Sequence, residues 1–585
     1  MSLEMAELGH WHGLCHDGTS TDAAIERARA AMTHLAPMFH QSHDLLPVRP
    51  PETVSMRTRD GVRLDADLYR PDATGSWPTL LLRVPCGRRT ALTSHYAHPR
   101  WYAARGYVVV VQDIRGCGTS DGRFRPFEAE REDGAEAVAW AASLPGSSGA
   151  VAMYGSGYAG MAQWLALAEA PAALRAVVPA FAGWDVFSDW AYEGGAFRLA
   201  DAMGWALRTA ADAARRVEDG TGHRLLSDAA RSLPVDDEIP SRPQALRDYA
   251  RYSHYDDWLT NPVPGPPWAA LSPKAMQEAM PADVAVLQVG GWYDPRLAGM
   301  LDAHERFAAR GGRAPVRLVV GSWGADGPAA VPGQAPTLDT LQLAWFDRVL
   351  KGDGGDRGGP VRLHDVETGR WHDLPGLPAA EAVLHLSSDG LANRQGGRLE
   401  LEMPDLEALD VVVHDPRTPV PTVGGHAVPD VAGRFDRAAV DRRPDVATYT
   451  SLPLDEPLML AGRVALDVWV EADAPSFDVS AVLSVLRPDG QVLPLTQGHA
   501  RVEPGDPTRP LTIAMRAVCA TLAPGSALRL SLAGSCFPAY PVNPGTGAEP
   551  GETRRVDALP ITLLIHSGPD RPSRLRLPAG SPAPG

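Results

Sequence analysis

The segment Met153-Tyr154-Gly155-Ser156-Gly157-Tyr158-Ala159-Gly160 constrains this chain more than any other. It follows a short apolar run at 149–153 and opens a second one at 161–167, which predicts a strand, a sharp glycine-flanked turn and a helix. That is the frame which lifts a nucleophilic serine above the end of a sheet, written G-x-S-x-G. With Gly155 as its first glycine, the serine position is taken by Gly157, and the only nearby serine, Ser156, comes one residue early. The turn is there and its nucleophile is not.

The surrounding pattern is that of a layered α/β protein. Residues 62–69 alternate with period two, as a half-buried strand does, and 79–84 and 107–112 are almost wholly apolar, as strands covered on both faces are. A helix is expected over 133–143, and further strands at 177–180, 284–289 and 316–320. Strands alternating with helices predict a doubly wound sheet. Between 185 and 280 the pattern gives way to helical, Trp-, Ala- and Arg-rich sequence, most simply a cap over the carboxyl ends of the strands, where such sheets bind ligands. Its aromatics, Trp184, Trp190, Tyr192, Phe197 and Trp205, suit either a pocket lining or packing within the cap. From 353 onward short alternating runs such as 464–470 and 527–532, broken by Gly, Pro and Asp, predict an all-β jelly roll. The expected division is therefore an N-terminal arm with one helix at 1–51, a core at 52–184 and 281–352, a cap at 185–280 and a β-sandwich at 353–585.

Composition narrows the partners. A formal net charge of −16 opposes phosphate backbones and anionic membrane surfaces, so nucleic acid and membrane are not expected. No apolar run of about 18 residues is present to span a bilayer. The first residues carry acids where a secretion signal needs bases, and five scattered cysteines (Cys15, Cys86, Cys117, Cys519, Cys536) make no disulfide framework, so a cytoplasmic protein is expected. A small-molecule ligand is the expected partner, with a homo-oligomer compatible. No cofactor and no metal site is expected; the cluster His10-Trp11-His12-Gly13-Leu14-Cys15-His16 offers imidazole and thiol groups but no second cluster to complete a tetrahedron.

Several motifs in order resemble the CocE/NonD family, which includes the cocaine esterases and is similar to the Xaa-Pro dipeptidyl-peptidases. They are Arg59-Asp60-Gly61-Val62 with Asp67-Leu68-Tyr69-Arg70-Pro71, Gln112-Asp113-Ile114-Arg115-Gly116-Cys117-Gly118-Thr119-Ser120-Asp121-Gly122, Ala344-Trp345-Phe346-Asp347-Arg348-Val349-Leu350-Lys351-Gly352, Asp415-Pro416 with Pro419-Val420-Pro421-Thr422-Val423-Gly424-Gly425, and Phe537-Pro538-Ala539-Tyr540-Pro541-Val542-Asn543-Pro544. The resemblance covers about residues 52–577 and implies an α/β-hydrolase core with an inserted helical cap and a C-terminal jelly roll. It further implies ester or amide hydrolysis by a serine in G-x-S-Y-x-G, an aspartate in G-W-Y-D, a histidine after G-P-W, and an early tyrosine that donates to the oxyanion.

Residue by residue, that pattern is only partly met. Gly290-Gly291-Trp292-Tyr293-Asp294 matches fully and keeps the aspartate as Asp294. Gly157 stands for the serine, Ala325 in Gly321-Ser322-Trp323-Gly324-Ala325 for the histidine, and Cys86 in Arg83-Val84-Pro85-Cys86 for the tyrosine. An acyl-enzyme needs a nucleophile, its base and the base's orienting group together, so the family mechanism is not expected here. Stand-ins to weigh are Ser156, Cys86 as a thiolate or an ordinary packed thiol, and Asp326 as a second carboxylate beside Asp294 or a solvated loop acid. Asp294, deprived of its imidazole, is expected to have a raised pKa and to serve as an acid/base under the cap, or else to hydrogen-bond loop amides. Ser156, Tyr158, Trp184, Trp190, Trp292, Tyr293, Trp323 and Asp326 are the expected pocket residues.

Overall fold

The computed structural model describes residues 45–89, 96–324, 337–353, 358–378, 381–428, 431–503 and 509–578. Residues 1–44 of the N-terminal arm, with its histidine cluster, and Ala325 and Asp326 lie outside the described residues. The first sheet has ten strands, β1 (Glu52–Arg57), β2 (Arg63–Tyr69), β3 (Trp77–Val84), β4 (Val108–Asp113), β5 (Ser147–Ser156), β6 (Leu174–Ala180), β9 (Ala285–Tyr293), β10 (Val316–Gly324), β11 (Val361–His364) and β12 (Trp371–Leu374). Their order is β1-β2-β4-β3-β5-β6-β9-β10-β11-β12, parallel from β4 through β11. The two-residue strands β7 (Tyr192–Glu193) and β8 (Ala196–Phe197) form a hairpin in the cap.

The all-apolar runs fold as strands covered on both faces because side chains alternate across the sheet. In β4, Val109 and Val111 enter one core with Tyr102, Trp345 and Phe346, while Val108 and Val110 enter the other with Val138, Trp164 and Phe307. Helices Glu130–Ala142, Tyr158–Ala168 and Leu297–Ala309 cover the second face, and Leu338–Phe346 covers the first.

Two features differ from the sequence expectation. The core sheet does not stop near 352: β11 pairs in parallel with β10, and β12 closes that edge as an antiparallel hairpin. The boundary at 353 therefore falls inside the sheet, because two four-residue strands in polar surroundings look the same whichever sheet they join. The cap is also not purely helical. Besides helices Leu199–Arg216 and Gly220–Arg231 it carries the β7–β8 hairpin, whose Gly194 carbonyl accepts the Arg501 amide at 2.8 Å from the second domain. That domain, from Glu381 to Pro578, is a jelly roll whose strands enclose one apolar core including Leu466, Val468, Leu483, Leu530 and Leu563.

Candidate functional site

Strands β3, β5, β6, β9 and β10 end on one edge, and Cys86, Gly157 and Asp294 follow the ends of β3, β5 and β9. At the end of β5, Gly157 adopts φ 55° and ψ −116° before the helix Tyr158–Ala168 begins. Its amide donates to the Ala180 carbonyl at 2.9 Å and its carbonyl accepts the amides of Gly160 and Met161 at 3.0 Å. The flanking glycines are required by contact. A Cβ on Gly155 would lie 2.5 Å from the Ala159 methyl, and one on Gly160 would lie 2.5 Å from the Ala182 methyl. A Cβ on Gly157 would meet nothing within 4 Å. The turn is thus tightly built around a position that itself has room for a side chain. Buried Gln163 fixes it from below, donating to the carbonyls of Ala159 and Val178 at 3.1 Å and accepting the Val178 amide at 2.8 Å.

At the end of β9, Asp294 is fully buried. Its Oδ1 accepts the Arg296 amide at 3.2 Å and lies 3.8 Å from the Arg296 guanidinium. Its Oδ2 is buried with no hydrogen-bond partner among the described residues. Burial pushes the Asp294 pKa up, and the charge of Arg296 opposes that rise without cancelling it. Arg296 is itself committed to Asp201 on the cap helix, at 3.0 Å, and lies 4.1 Å over the Trp190 ring. Asp294, Arg296, Asp201 and Trp190 therefore form one contact chain from the sheet edge into the cap. At the end of β10, Gly324 pairs with Tyr293, so this strand ends beside the Asp294 loop.

The other expected pocket residues divide. Trp190 reaches the site through Arg296 and joins an aromatic cluster with Phe127 and Trp205. Tyr158 stacks on Phe127 at 4.7 Å, accepts the Phe127 amide and donates to Glu130, which makes it an anchor of the elbow helix. Trp292 donates to the His364 carbonyl at 2.7 Å and ties β9 to β11. Tyr293 is half-buried, with its phenol pushed up to about 12 mainly by burial. Trp323 is half-buried against Phe181 and Trp371. Trp184 is not a pocket residue: it is fully buried between Trp164 and Phe307 in the helix layer on one face of the sheet, because the chain dips there before entering the cap. Tyr192, Phe197 and Trp205 pack among cap residues.

Cys86 follows β3 and is exposed. The residue that engages the elbow from this side is Tyr96, whose hydroxyl accepts the Ser156 amide and whose phenol is pushed up to about 12 chiefly by burial. Sequence reading missed Tyr96, Gln163, Arg296 and Asp201, none of which stands in a periodic pattern or motif. Among the described residues no base hydrogen-bonds the buried Ser156 Oγ. Two surface cavities lie elsewhere, one beside Ser241, Phe537 and Arg555 and the other beside Arg123, Phe124 and Glu130; neither is lined by Gly157, Cys86 or Asp294.

Residues 60–324 match the family model for X-Pro dipeptidyl-peptidase (S15 family), and 354–576 match that for the X-Pro dipeptidyl-peptidase C-terminal non-catalytic domain. The chain is 29% identical to the cocaine esterase of Rhodococcus sp. (strain MB1 Bresler) over 570 residues, 90% of this chain and 97% of that one. Its fold is similar to the crystal structure of an aminopeptidase from a marine sediment Thaumarchaeota archaeon, with TM-score 0.75 and 20% identity over 92% of this chain and 98% of the other. It is also similar to an α-amino acid ester hydrolase, with TM-score 0.72 and 20% identity over 93% and 99%. Two consecutive family models in this order, with a match to an esterase over nearly the whole of both chains, place the chain: it belongs to the CocE/NonD, X-Pro dipeptidyl-peptidase-like hydrolase family.

Proposed function

We propose that this family member has lost the serine and histidine of the hydrolytic triad and acts without a covalent intermediate on a small, largely apolar molecule in the capped site, with Asp294 as its acid/base. The observation that carries the reading is the buried Asp294 Oδ2, which has no hydrogen-bond partner among the described residues. In the family pattern an imidazole receives that charge. With Ala325 at the imidazole position, burial raises the carboxyl pKa and brings it closer to the range in which it can take up and return a proton. The elbow conformation at Gly157 and the aromatic cluster of Trp190, Phe127 and Trp205 supply the frame and the apolar wall. An acyl-enzyme through Ser156 is disfavoured because no base among the described residues hydrogen-bonds its Oγ.

A fluorophosphonate probe and p-nitrophenyl esters test the hydrolytic part: neither labelling nor turnover is expected, and labelling of Ser156 or Cys86 overturns it. Asp294→Asn tests the catalytic part by abolishing conversion of whatever metabolite the native protein transforms in an untargeted assay. Retention of that conversion overturns the acid/base role. A second reading, ligand binding without chemistry, is favoured by the full burial of Asp294 and its hydrogen bond from the Arg296 amide. Equal ligand affinity with no conversion by either protein supports this second reading.

A further inference from the structure

The β11–β12 hairpin brings together a group that the candidate site does not use. Asp365 follows β11, His372 lies on β12, and Cys519 lies on the jelly-roll strand Val518–Leu522. One donor atom from each lies within 4.8 Å of the other two. The hairpin turn is held against that strand by the Val366 amide, which donates to the Cys519 carbonyl at 2.9 Å. Asp365 Oδ1 accepts the amides of Glu367 and Thr368 at 2.8 and 3.0 Å, which fixes the carboxyl so that Oδ2 faces His372 Nε2 at 3.6 Å. That is too long for a hydrogen bond. Thr521 borders the Asp365 carboxyl, but neither Asp365 Oδ2 nor His372 Nε2, both buried, makes a hydrogen bond of ordinary geometry among the described residues, and the Asp365 and Cys519 side chains are wholly inaccessible.

Two orphaned buried polar atoms facing each other are costly unless something joins them. We propose that Asp365, His372 and Cys519 bind one zinc-class divalent cation that pins the edge hairpin of the hydrolase sheet to the jelly roll. One thiolate, one imidazole and one carboxylate make the mixed sulfur, nitrogen and oxygen set that zinc takes, whereas magnesium and calcium take oxygen alone. Metal–ligand lengths of about 2.0–2.3 Å set donors roughly 3.3–3.8 Å apart in a tetrahedron, so closing this group needs side-chain adjustment and no new fold. His372 keeps one-fifth of its side chain exposed, which leaves an approach for the ion and a water at the fourth position. Binding replaces the Cys519 S–H bond by an S–metal bond and releases one proton to solvent, with no change in oxidation state.

Cobalt(II) reports the geometry and the sulfur ligand directly. The full chain carrying Cys15→Ser and Cys86→Ser, stripped with a chelator, removes the arm's thiol and the exposed one from contention. We expect one equivalent of Co2+ to give the visible bands of a tetrahedral site with a thiolate charge-transfer band in the near ultraviolet, both displaced by Zn2+. Adding Cys519→Ser removes the charge-transfer band, and adding His372→Ala weakens binding by about tenfold or more. Absence of the band in the background protein overturns the proposal, as does its survival in Cys519→Ser. If Cys519→Ser fails to fold, His372→Ala at the partly exposed edge of the site decides, and unchanged Co2+ affinity in that variant is equally fatal.

Discussion

Asp294 accepts the Arg296 amide at 3.2 Å and lies 3.8 Å from its guanidinium, yet Arg296 makes its closer ion pair, 3.0 Å, with Asp201 of the cap. The carboxyl at the sheet edge is thus only partly compensated, and the cap takes the larger share of Arg296. Its second oxygen has no partner among the described residues.

That arrangement fixes a sign. Burial raises the folded pKa of Asp294 above the unfolded value of about 3.9. Its contribution to stability is therefore fully present below about pH 3.9 and is lost as pH rises through the folded pKa. Asp294→Asn removes this loss. Urea unfolding over a pH series should show the variant gaining on the wild type with rising pH across that window, and a gap that shrinks with rising pH contradicts the assignment.

At the elbow, Gly157→Ser has space for its side chain but keeps a positive φ, so it should fold with a cost of about 1–3 kcal/mol. Combined with Ala325→His it should turn over p-nitrophenyl esters, which the wild type should not. A well-folded double variant with no burst and no fluorophosphonate labelling means that the frame is no longer aligned.

Gly155→Ala should cost more than Gly157→Ala. Its Cβ would sit 2.5 Å from the Ala159 methyl and 3.0 Å from a Leu82 methyl, at φ 145°. Chemical denaturation should find Gly155→Ala the more destabilised of the two, with the elbow helix displaced. Equal stability of the two variants refutes the packing argument.

Glu193 on the cap hairpin joins the cap to the jelly roll. It lies 2.9 Å from Arg198 and 3.3 Å from Arg516, and it accepts the Tyr540 hydroxyl at 2.7 Å. Burial works against its charge, but Arg198, Arg516 and His426 hold its pKa well below the usual range. Glu193→Gln leaves two buried guanidinium groups short of an anion and should cost about 3–5 kcal/mol at neutral pH. Because the folded pKa is depressed, the stabilisation is present above the unfolded value of about 4.3 and fades as pH falls through the folded one. The variant's deficit should shrink in acid; a deficit independent of pH would mean that packing, and not charge, is responsible.

Tyr96→Phe removes the oxygen that accepts the Ser156 amide. Stranding that amide should cost about 1–3 kcal/mol, and amide exchange at Ser156 should quicken. Unaltered exchange would show that the bond does not hold the elbow.

The layered architecture was legible in the sequence because local patterns encode it. Val108 to Val111 can face two cores only as a strand covered on both sides, and the close contacts at Gly155 and Gly160 admit only glycine, which is what the elbow motif displays. The same locality explains the position of Asp294 at the end of β9. What the sequence could not place were partners distant along the chain. Nothing in Trp184 distinguishes a pocket wall from a helix-layer core, and nothing at 361–374 assigns that hairpin to the first sheet. Tyr96 against Ser156, Asp201 against Arg296 and Cys519 against Asp365 are contacts across 60, 95 and 154 residues, set by how whole layers dock. The sequence by itself determined the elements, their order and the residue at each position of the family's chemical motif, since backbone propensity and side-chain periodicity are local. Only the tertiary structure decided which carboxylate oxygen is left without a partner and which buried donors meet across the domain junction, since those follow from the packing of surfaces that no local pattern describes.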